Sequence, residues 1–103
     1  MKHVEELGIP ELTSEQIEEV CTIAEEEARK YVASKIPRKH IERLNVTAEV
    51  EGARPVTVTI DVDIGLTSAA KGFNVQKVAD EAVKEGIKAA EKHMRDLKCR
   101  SQT

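Results

Sequence analysis

The stretch LNVTAEVEGARPVTVTIDVDI, residues 44–64, contains two runs in which apolar and polar residues alternate. A period of two carried by β-branched residues is typical of half-buried antiparallel strands. Gly52 and Pro55, between the runs, favour a hairpin. The apolar positions of both runs are even-numbered: Leu44, Val46, Ala48, Val50, Val56, Val58, Ile60, Val62 and Ile64. They share one face only if the loop has an odd number of residues, so we expect a loop of Ala53–Pro55, or a five-residue loop from Glu51.

An amphipathic helix is predicted before the hairpin, between Thr13 and Pro37. Thr13 and Gln16 have the spacing of a capping box, and Pro37 ends the helix because a proline disfavours the helical conformation of the residue before it. The apolar side chains recur with the helical period, at Ile17, Val20, Cys21, Ala24, Ala28, Tyr31 and Val32. We therefore expect Cys21 to be buried as a small apolar side chain.

A second helix is predicted after the hairpin, with Asn74 as its N-cap and Leu97 near its end. Its apolar stripe consists of Val75, Val78, Ala79, Ala82, Val83, Ile87, Ala90, Met94 and Leu97. Gly86 lies within this stripe, where glycine costs about 1 kcal/mol relative to alanine. A close approach of the first helix, near Ala24 and Ala28, would justify the glycine.

The element order α-β-β-α predicts an α+β domain with two helices packed on one face of an antiparallel β-hairpin. Residues 13–97 form this domain, with an N-terminal extension at residues 1–12 and a flexible tail at residues 98–103. A two-stranded sheet is marginal by itself and has two unpaired edges. We therefore expect dimerisation to extend the sheet, or residues 1–11 to add a short segment over one edge.

Composition favours a protein that needs partners. The 103-residue chain has one Phe, one Tyr and no Trp, so its core consists of small aliphatic side chains that bury little area each. Charged residues make up 34% of the chain, but the net charge is only -3. Without a domain-wide basic field, tight non-specific binding of nucleic acid is not expected. The abundance of Glu and Lys suits a heat-adapted organism.

The sequence shows no motif that would direct the protein to a membrane or indicate a disulfide or metal site. The sequence has no long apolar run, signal peptide or lipidation motif, so we expect a cytoplasmic protein without a membrane partner. Cys21 and Cys99 do not have the spacing of a metal site or a disulfide framework. No cofactor is expected.

Asp61 and Asp63 raise the question of a metal site, because residues two apart on a strand point to the same face. The side chains expected opposite them, Asn45, Thr47 and Glu49, make a poor ligand set for a divalent cation. We assign no metal and interpret four side chains as a solvated polar sheet face: Thr57, Thr59, Asp61 and Asp63.

The loop GLTSAAKG, residues 65–72, contains the residue types of a phosphate-binding loop in the wrong order. A P-loop places Gly-Lys-Ser/Thr at the start of a helix, whereas Lys71 here precedes Gly72. We expect Gly65 and Gly72 to supply turn conformations instead.

The segment KIPRKHIER, residues 35–43, is the main basic cluster. We interpret it as a helix end and a solvated loop; the alternative is a surface for RNA or an acidic partner. The candidate contacts are Lys35, Arg38, Lys39, Arg43 and Lys71. Surfaces that stack bases normally carry aromatic residues, which this chain almost lacks.

The histidines offer no catalytic arrangement. His3, His40 and His93 fall on a terminus, a loop and the far end of a helix, and no Ser or Cys motif accompanies them. We therefore assign no catalytic residue, and we expect neither an enzyme nor a small-molecule substrate.

The capped acidic first helix, with IPRKHIERLNVTAEVEG (36–52), VTVTIDVDIGL (56–66) and KGFNVQKVADEAVKEGIKAAEKHM (71–94), resembles an uncharacterised family of small archaeal proteins. More distantly, the strand-acid-helix half is similar to the small dimerising subunit of the KEOPS complex, which makes the threonylcarbamoyladenosine modification of tRNA. That resemblance implies an α+β subunit without catalytic residues that dimerises and docks on a catalytic subunit. Asp61 or Asp63 would occupy the acidic position at the strand end. The longer loop and the missing Arg and Asn pattern of the second helix depart from that family.

We interpret the protein as a non-catalytic dimeric or accessory subunit that acts through protein–protein contacts in a KEOPS-like tRNA-modification assembly. Its partners are a second copy, another subunit, or both, with RNA reached through a partner. The first alternative is a small RNA-binding module that uses the basic loop 35–43. The second alternative is a metal-dependent enzyme around Asp61 and Asp63.

Overall fold

The structure is a computed structural model that describes residues 2–7, 12–51, 56–68, 70 and 72–101. Its elements are β1 (Lys2–Leu7), α1 (Ser14–Lys35), a 3-10 helix (Arg38–His40), β2 (Ile41–Glu51), β3 (Val56–Leu66) and α2 (Val75–Ser101). The two α-helices pack against each other and against the same face of an antiparallel sheet. The expected α+β class, with two helices on one face of a β-hairpin, is confirmed.

The hairpin register follows the alternation of the sequence. Val46 lies opposite Val62, and Val50 lies opposite Val58, so even-numbered residues pair with even-numbered residues. Glu51 lies opposite Thr57, which is the register that a loop of Ala53–Pro55 produces. The loop itself lies outside the described residues.

The N-terminal segment adds a third strand. β1 pairs antiparallel with β3, from Lys2 opposite Asp61 to Leu7 opposite Val56, and the strand order is β1-β3-β2. Lys2–Leu7, within the segment expected to be an N-terminal extension, therefore form part of the sheet. β1 thus covers one edge of the hairpin. This is the second of the two outcomes expected for the hairpin edges, a segment of residues 1–11 added over one edge. Dimerisation across the other edge stays a prediction.

The basic segment is not a loop, and this part of the expectation was wrong. Lys35 is the last residue of α1, Arg38 to His40 form the 3-10 helix, and β2 starts at Ile41 rather than at Leu44. Ile41 lies opposite Leu66 and Arg43 opposite Gly65, so Glu42 is the extra residue of a β-bulge. The bulge lets the strand continue past the point where strict alternation ends.

Both helix starts are as predicted, and one helix end is not. Thr13 Oγ1 accepts a hydrogen bond from the Gln16 N–H at 3.2 Å, while Gln16 Oε1 accepts one from the Thr13 N–H at 3.0 Å. Asn74 Oδ1 accepts the Lys77 N–H at 3.1 Å at the start of α2. α2 continues past Leu97 to Ser101, so its final turns include residues that we had assigned to a tail.

Gly86 is a point of close approach between the two helices and the sheet. A Cβ at this position would lie 2.9 Å from Ile60 Cδ1, 3.0 Å from the Ala24 carbonyl oxygen and 3.6 Å from Ala28 Cβ. The predicted close approach of α1 is therefore confirmed. Around this contact lies the core: Val20, Ala24, Ala28, Val32, Ile36, Val46, Val58, Ile60, Val62, Ile64, Ala79, Ala82, Val83, Ile87, Ala90 and Met94.

Candidate interaction surfaces

The helix-free face of the sheet is polar where its side chains are described. Asp61 and Asp63 are exposed there, while Thr57 and Thr59 are half-buried. Register places Thr47 opposite Asp61. Asp61 and Asp63 are therefore exposed to solvent, whereas Thr57 and Thr59 are less exposed than the expectation of a solvated polar face implied.

An ion pair occupies the acidic end of this face. Arg43 Nε donates to Asp63 Oδ2 at 2.9 Å, and Nη2 lies 3.4 Å from Oδ1. The hydrogen bond from Arg43 lowers the pKa of Asp63 below its ordinary value, and the same bond raises the pKa of Arg43. A divalent cation at Asp63 would have to displace a guanidinium, so this carboxylate is a poor metal ligand.

Gly65 makes room for that pair. It lies within β3 opposite Arg43, and a Cβ there would be 3.1 Å from Arg43 Cζ. The expectation that Gly65 forms a turn was therefore wrong, because its small size serves the guanidinium. Gly72 does adopt the left-handed conformation, with φ of 80°, as its position before α2 predicted.

The basic candidates do not form one cluster. Lys35 lies at the end of α1, and Arg38 and Lys39 lie in the exposed 3-10 helix. Arg43 is separated from them because it points across the sheet to Asp63. Lys71 lies outside the described residues.

The structure places Tyr31 and Phe73 near Lys35 and Lys77, at the end of the molecule that we call the basic end. The sequence did not predict this arrangement. Lys35 Nζ lies 5.6 Å from the centroid of the Tyr31 ring, within range of a cation–π interaction. The rings of His40 and Phe73 are 5.8 Å apart. Lys77, Tyr31 and Phe73 line a shallow groove of about 250 Å³ at the start of α2, together with Glu81, which accepts a hydrogen bond from the Tyr31 hydroxyl. The sequence contained one signal for this arrangement, because the predicted end of the first helix and the predicted start of the second each carry an aromatic residue.

A second groove lies between the helices on the side away from the sheet. It has a volume of about 400 Å³ and mixed charge, with Ile23 and Ala89 among Glu27, Glu85, Lys88, Lys92, His93 and Asp96. His93 Nε2 lies 2.7 Å from Glu19 Oε1, without the angle of a hydrogen bond, and the His93 side chain is only 15% exposed. This contact links α1 to α2, which is a structural role for the histidine.

The outer edge of the sheet is β2, which pairs only with β3 among the described strands. Its apolar side chains Leu44, Ala48 and Val50 are half-buried. Above Val50 lies Cys21, which is half-buried rather than buried as expected. Burial raises the pKa of the Cys21 thiol, and the carboxylates of Glu25 and Glu49 raise it further.

The described residues contain no group of three or more His, Cys, Asp or Glu side chains placed to hold a metal ion. Neither described helix is long and apolar enough to cross a membrane.

Comparison with known proteins places this fold among archaeal relatives. The model of a family described as "Protein of unknown function (DUF3194)" matches residues 9–93. An uncharacterised protein of Thermococcus kodakarensis is 29% identical over 96 residues, which cover 93% of this chain and 88% of the relative. One from Pyrococcus horikoshii is 23% identical over 97 residues, covering 94% and 83%.

Two solved structures share the fold. A crystal structure from Thermococcus onnurineus has a TM-score of 0.75 and 28% identity, over 94% of this chain and 93% of that one. The solution structure of a hypothetical protein from Methanothermobacter thermautotrophicus has a TM-score of 0.72 and 18% identity, over 87% and 97%. The expected resemblance to an uncharacterised archaeal family is confirmed.

Proposed function

Because the chain belongs to the DUF3194 family, whose function is unknown, we propose a role for it from its surfaces. It acts as a non-catalytic accessory subunit, through protein–protein contacts. The observation that carries this proposal is the β2 edge, where Leu44, Ala48 and Val50 stay half-buried on a strand that pairs on one side only among the described strands. Apolar side chains at an open strand edge favour association with another chain.

The chemistry of the described side chains supports a non-catalytic role. Asp63 is neutralised by Arg43, and His93 contacts Glu19 between the helices. The raised pKa of Cys21 lowers its thiolate fraction, and the thiolate is the nucleophilic form of cysteine. These groups are also on different parts of the fold, so they do not converge on one reacting atom.

The finer form of the proposal is a KEOPS-like assembly that modifies tRNA. Its support is the resemblance of the strand-acid-helix half, with Asp61 or Asp63 at the acidic position, together with a fold that lacks a catalytic set. Two kinds of partner fit the accessory role: a second copy of the chain and a different subunit.

Affinity purification tests this proposal. The tagged chain is expressed in an archaeon that encodes it, recovered with and without ribonuclease, and read by mass spectrometry. We expect a subunit of an RNA-modifying enzyme that survives ribonuclease and forms a stoichiometric complex when both proteins are purified and mixed. A chain that returns alone, and sediments as a monomer, contradicts the accessory role.

A second candidate function is RNA binding at the basic end, which a specific observation favours. Tyr31 and Phe73, the only Tyr and Phe of the chain, lie beside Lys35 and Lys77. Aromatic rings between cations are the usual means of holding single-stranded nucleic acid.

Fluorescence anisotropy with labelled single-stranded RNA tests this candidate. We expect affinity to fall with salt and to weaken further in Lys35→Ala/Lys77→Ala and in Arg38→Ala/Lys39→Ala. Lys88→Ala/Lys92→Ala removes the same charge from the groove between the helices and serves as the matched control. Equal weakening in all three variants indicates a general charge effect and removes the basic end as a site.

A further inference from the structure

The β2 edge offers a full strand of backbone to a partner. β2 contains 11 residues, Ile41–Glu51, and its only partner among the described strands is β3. Apart from the Val50 backbone group that hydrogen-bonds the Cys21 thiol, the backbone groups of β2 that point away from β3 have no strand partner among the described residues. They are available for hydrogen bonds, as in domains that bind an extended peptide by adding it to a sheet edge.

The helix above this edge makes it a groove. Besides packing against α2, α1 contacts the sheet mainly at β2 and hardly touches β3. Cys21 lies on the flank of α1 that faces Val50, while Ile23 faces the groove shared with α2. An added strand would therefore place alternate side chains under α1, against Cys21 and Val50.

The rim of this edge is acidic, chiefly on the helix-free face of the sheet, to which the odd-numbered residues Glu49 and Glu51 point. Glu49 and Glu51 are exposed at one end of β2, and Glu25 lies close enough to Cys21 to affect its thiol. None of the ion pairs between described side chains involves Glu49 or Glu51. Arg43, the basic residue of the strand, already neutralises Asp63. The charge that remains is complementary to lysine and arginine.

The distance that packed helices require favours the addition of a single strand at β2 over pairing with β2 of a second copy of the chain. Antiparallel pairing of β2 with β2 of another copy would put both α1 helices on the same face, above strands about 4.8 Å apart. Packed helix axes need about 8–10 Å. An extended segment has no helix of its own, so it meets no such obstacle.

From the open edge, the apolar row and the acidic rim, we propose that β2 binds an extended basic segment of a partner protein by strand addition. Apolar residues of the segment lie under α1 against Cys21 and Val50, and its alternate Lys or Arg residues lie beside Glu49 and Glu51. This inference rests on the proposed accessory function, to which it adds the partner's chemistry.

A synthetic peptide tests the proposal directly. The probe has 11 residues, the length of β2, alternates Val and Lys, and has blocked ends. The reporter is alkylation of Cys21 by iodoacetamide in a Cys99→Ser variant, with amide exchange across β2 followed by NMR. We expect the peptide to slow both reactions. A peptide with the same composition in two blocks, and one that alternates Val and Glu, should slow neither.

Charge variants locate the site. Glu49→Lys/Glu51→Lys should abolish the protection, while Glu18→Lys/Glu26→Lys makes the same charge change on exposed positions of α1 and should leave it intact. Melting temperatures confirm that both variants fold. The inference is overturned if the alternating peptide protects nothing, if the block peptide protects equally, or if the two charge variants behave alike.

The same variants separate this inference from the proposed function. An enzyme subunit that copurifies equally with Glu49→Lys/Glu51→Lys, when no peptide protects β2, keeps the accessory role and overturns the β2 site. A protected β2 with no copurifying subunit keeps the site and overturns the accessory role.

Discussion

β2 and β3 have nearly the same alternating pattern, yet their apolar side chains are buried to different extents. On β3, Val58 and Ile60 are 0% exposed, because β3 has a strand on each side and helices above it. On β2, Val50 lies directly opposite Val58 but stays half-buried. Val46, also on β2, is buried, so the pattern alone does not decide burial: the place of each residue beneath the helices and within the sheet does.

The largest expected effect comes from truncating the same residue type on the two strands. Val58→Ala removes two buried methyl groups and leaves a cavity, so we expect a loss of about 2–3 kcal/mol in the free energy of unfolding. Val50→Ala, its partner across the hairpin, should cost about 1 kcal/mol because solvent already reaches the site. Urea denaturation of both variants measures the difference. Equal losses would mean that β2 is as buried as β3.

A smaller effect is expected where the two helices meet. Gly86→Ala gains about 1 kcal/mol of helix propensity but forces a Cβ against Ile60 Cδ1 and the Ala24 carbonyl. We expect a net loss of about 1–2 kcal/mol, because the carbonyl is part of a packed helix. Thermal and urea unfolding provide the measurement.

Ile60→Val in the Gly86→Ala background serves as the control, since it removes the Cδ1 that the new methyl group meets. The double variant should lose less than the sum of the two single variants. A Gly86→Ala protein that is more stable than the parent would contradict the close approach.

Loss of the α1 cap is expected to cost less. Thr13→Ala removes the Oγ1 that accepts the Gln16 N–H, which should lower the free energy of unfolding by about 1 kcal/mol. Ser14→Ala, one position on, has no part in the capping box and should stay within about 0.5 kcal/mol of the parent. Matched urea curves for the two variants test this, and similar losses would argue against the capping box.

The smallest effect concerns the exposed pair on the helix-free face. Arg43 lowers the pKa of Asp63 below its ordinary 3.8, so the pair stabilises the fold above that pH and stops doing so as pH falls through the lowered pKa. NMR titration of the Asp63 carboxyl should show its pKa rising in Arg43→Ala. Arg38→Ala, in the neighbouring 3-10 helix, should leave that titration unchanged.

Most of the helices and strands were predictable from the sequence, because helix caps and hydrophobic periodicity depend on residues that are close together in the chain. The capping box, Asn74 at the start of α2, the shared parity of the two strands and the glycine contact at Gly86 all follow from residues that are close in sequence or periodic. The β-bulge at Glu42 was not predictable, because a bulge depends on how the partner strand continues.

The candidate surfaces were less predictable, because they consist of residues that are distant in sequence. The basic segment was expected to be a helix end followed by a solvated loop, whereas after the end of α1 the structure continues it through a 3-10 turn into β2. The pairing of Arg43 with Asp63 removes one cation from that segment. Tyr31 and Phe73 meet it only because the end of α1 and the start of α2 lie at the same end of the molecule.

By itself, the sequence determined the two helices, the hairpin, the parity of its register and the absence of a recognisable catalytic motif, since periodicity, caps and parity are local properties. Only the tertiary structure decided that β1 covers the edge of β3 and that β2 remains open beside Cys21. Strand order depends on which segments the folded chain brings side by side, and no local pattern encodes that choice. The surface left for a partner is therefore a product of the sheet order.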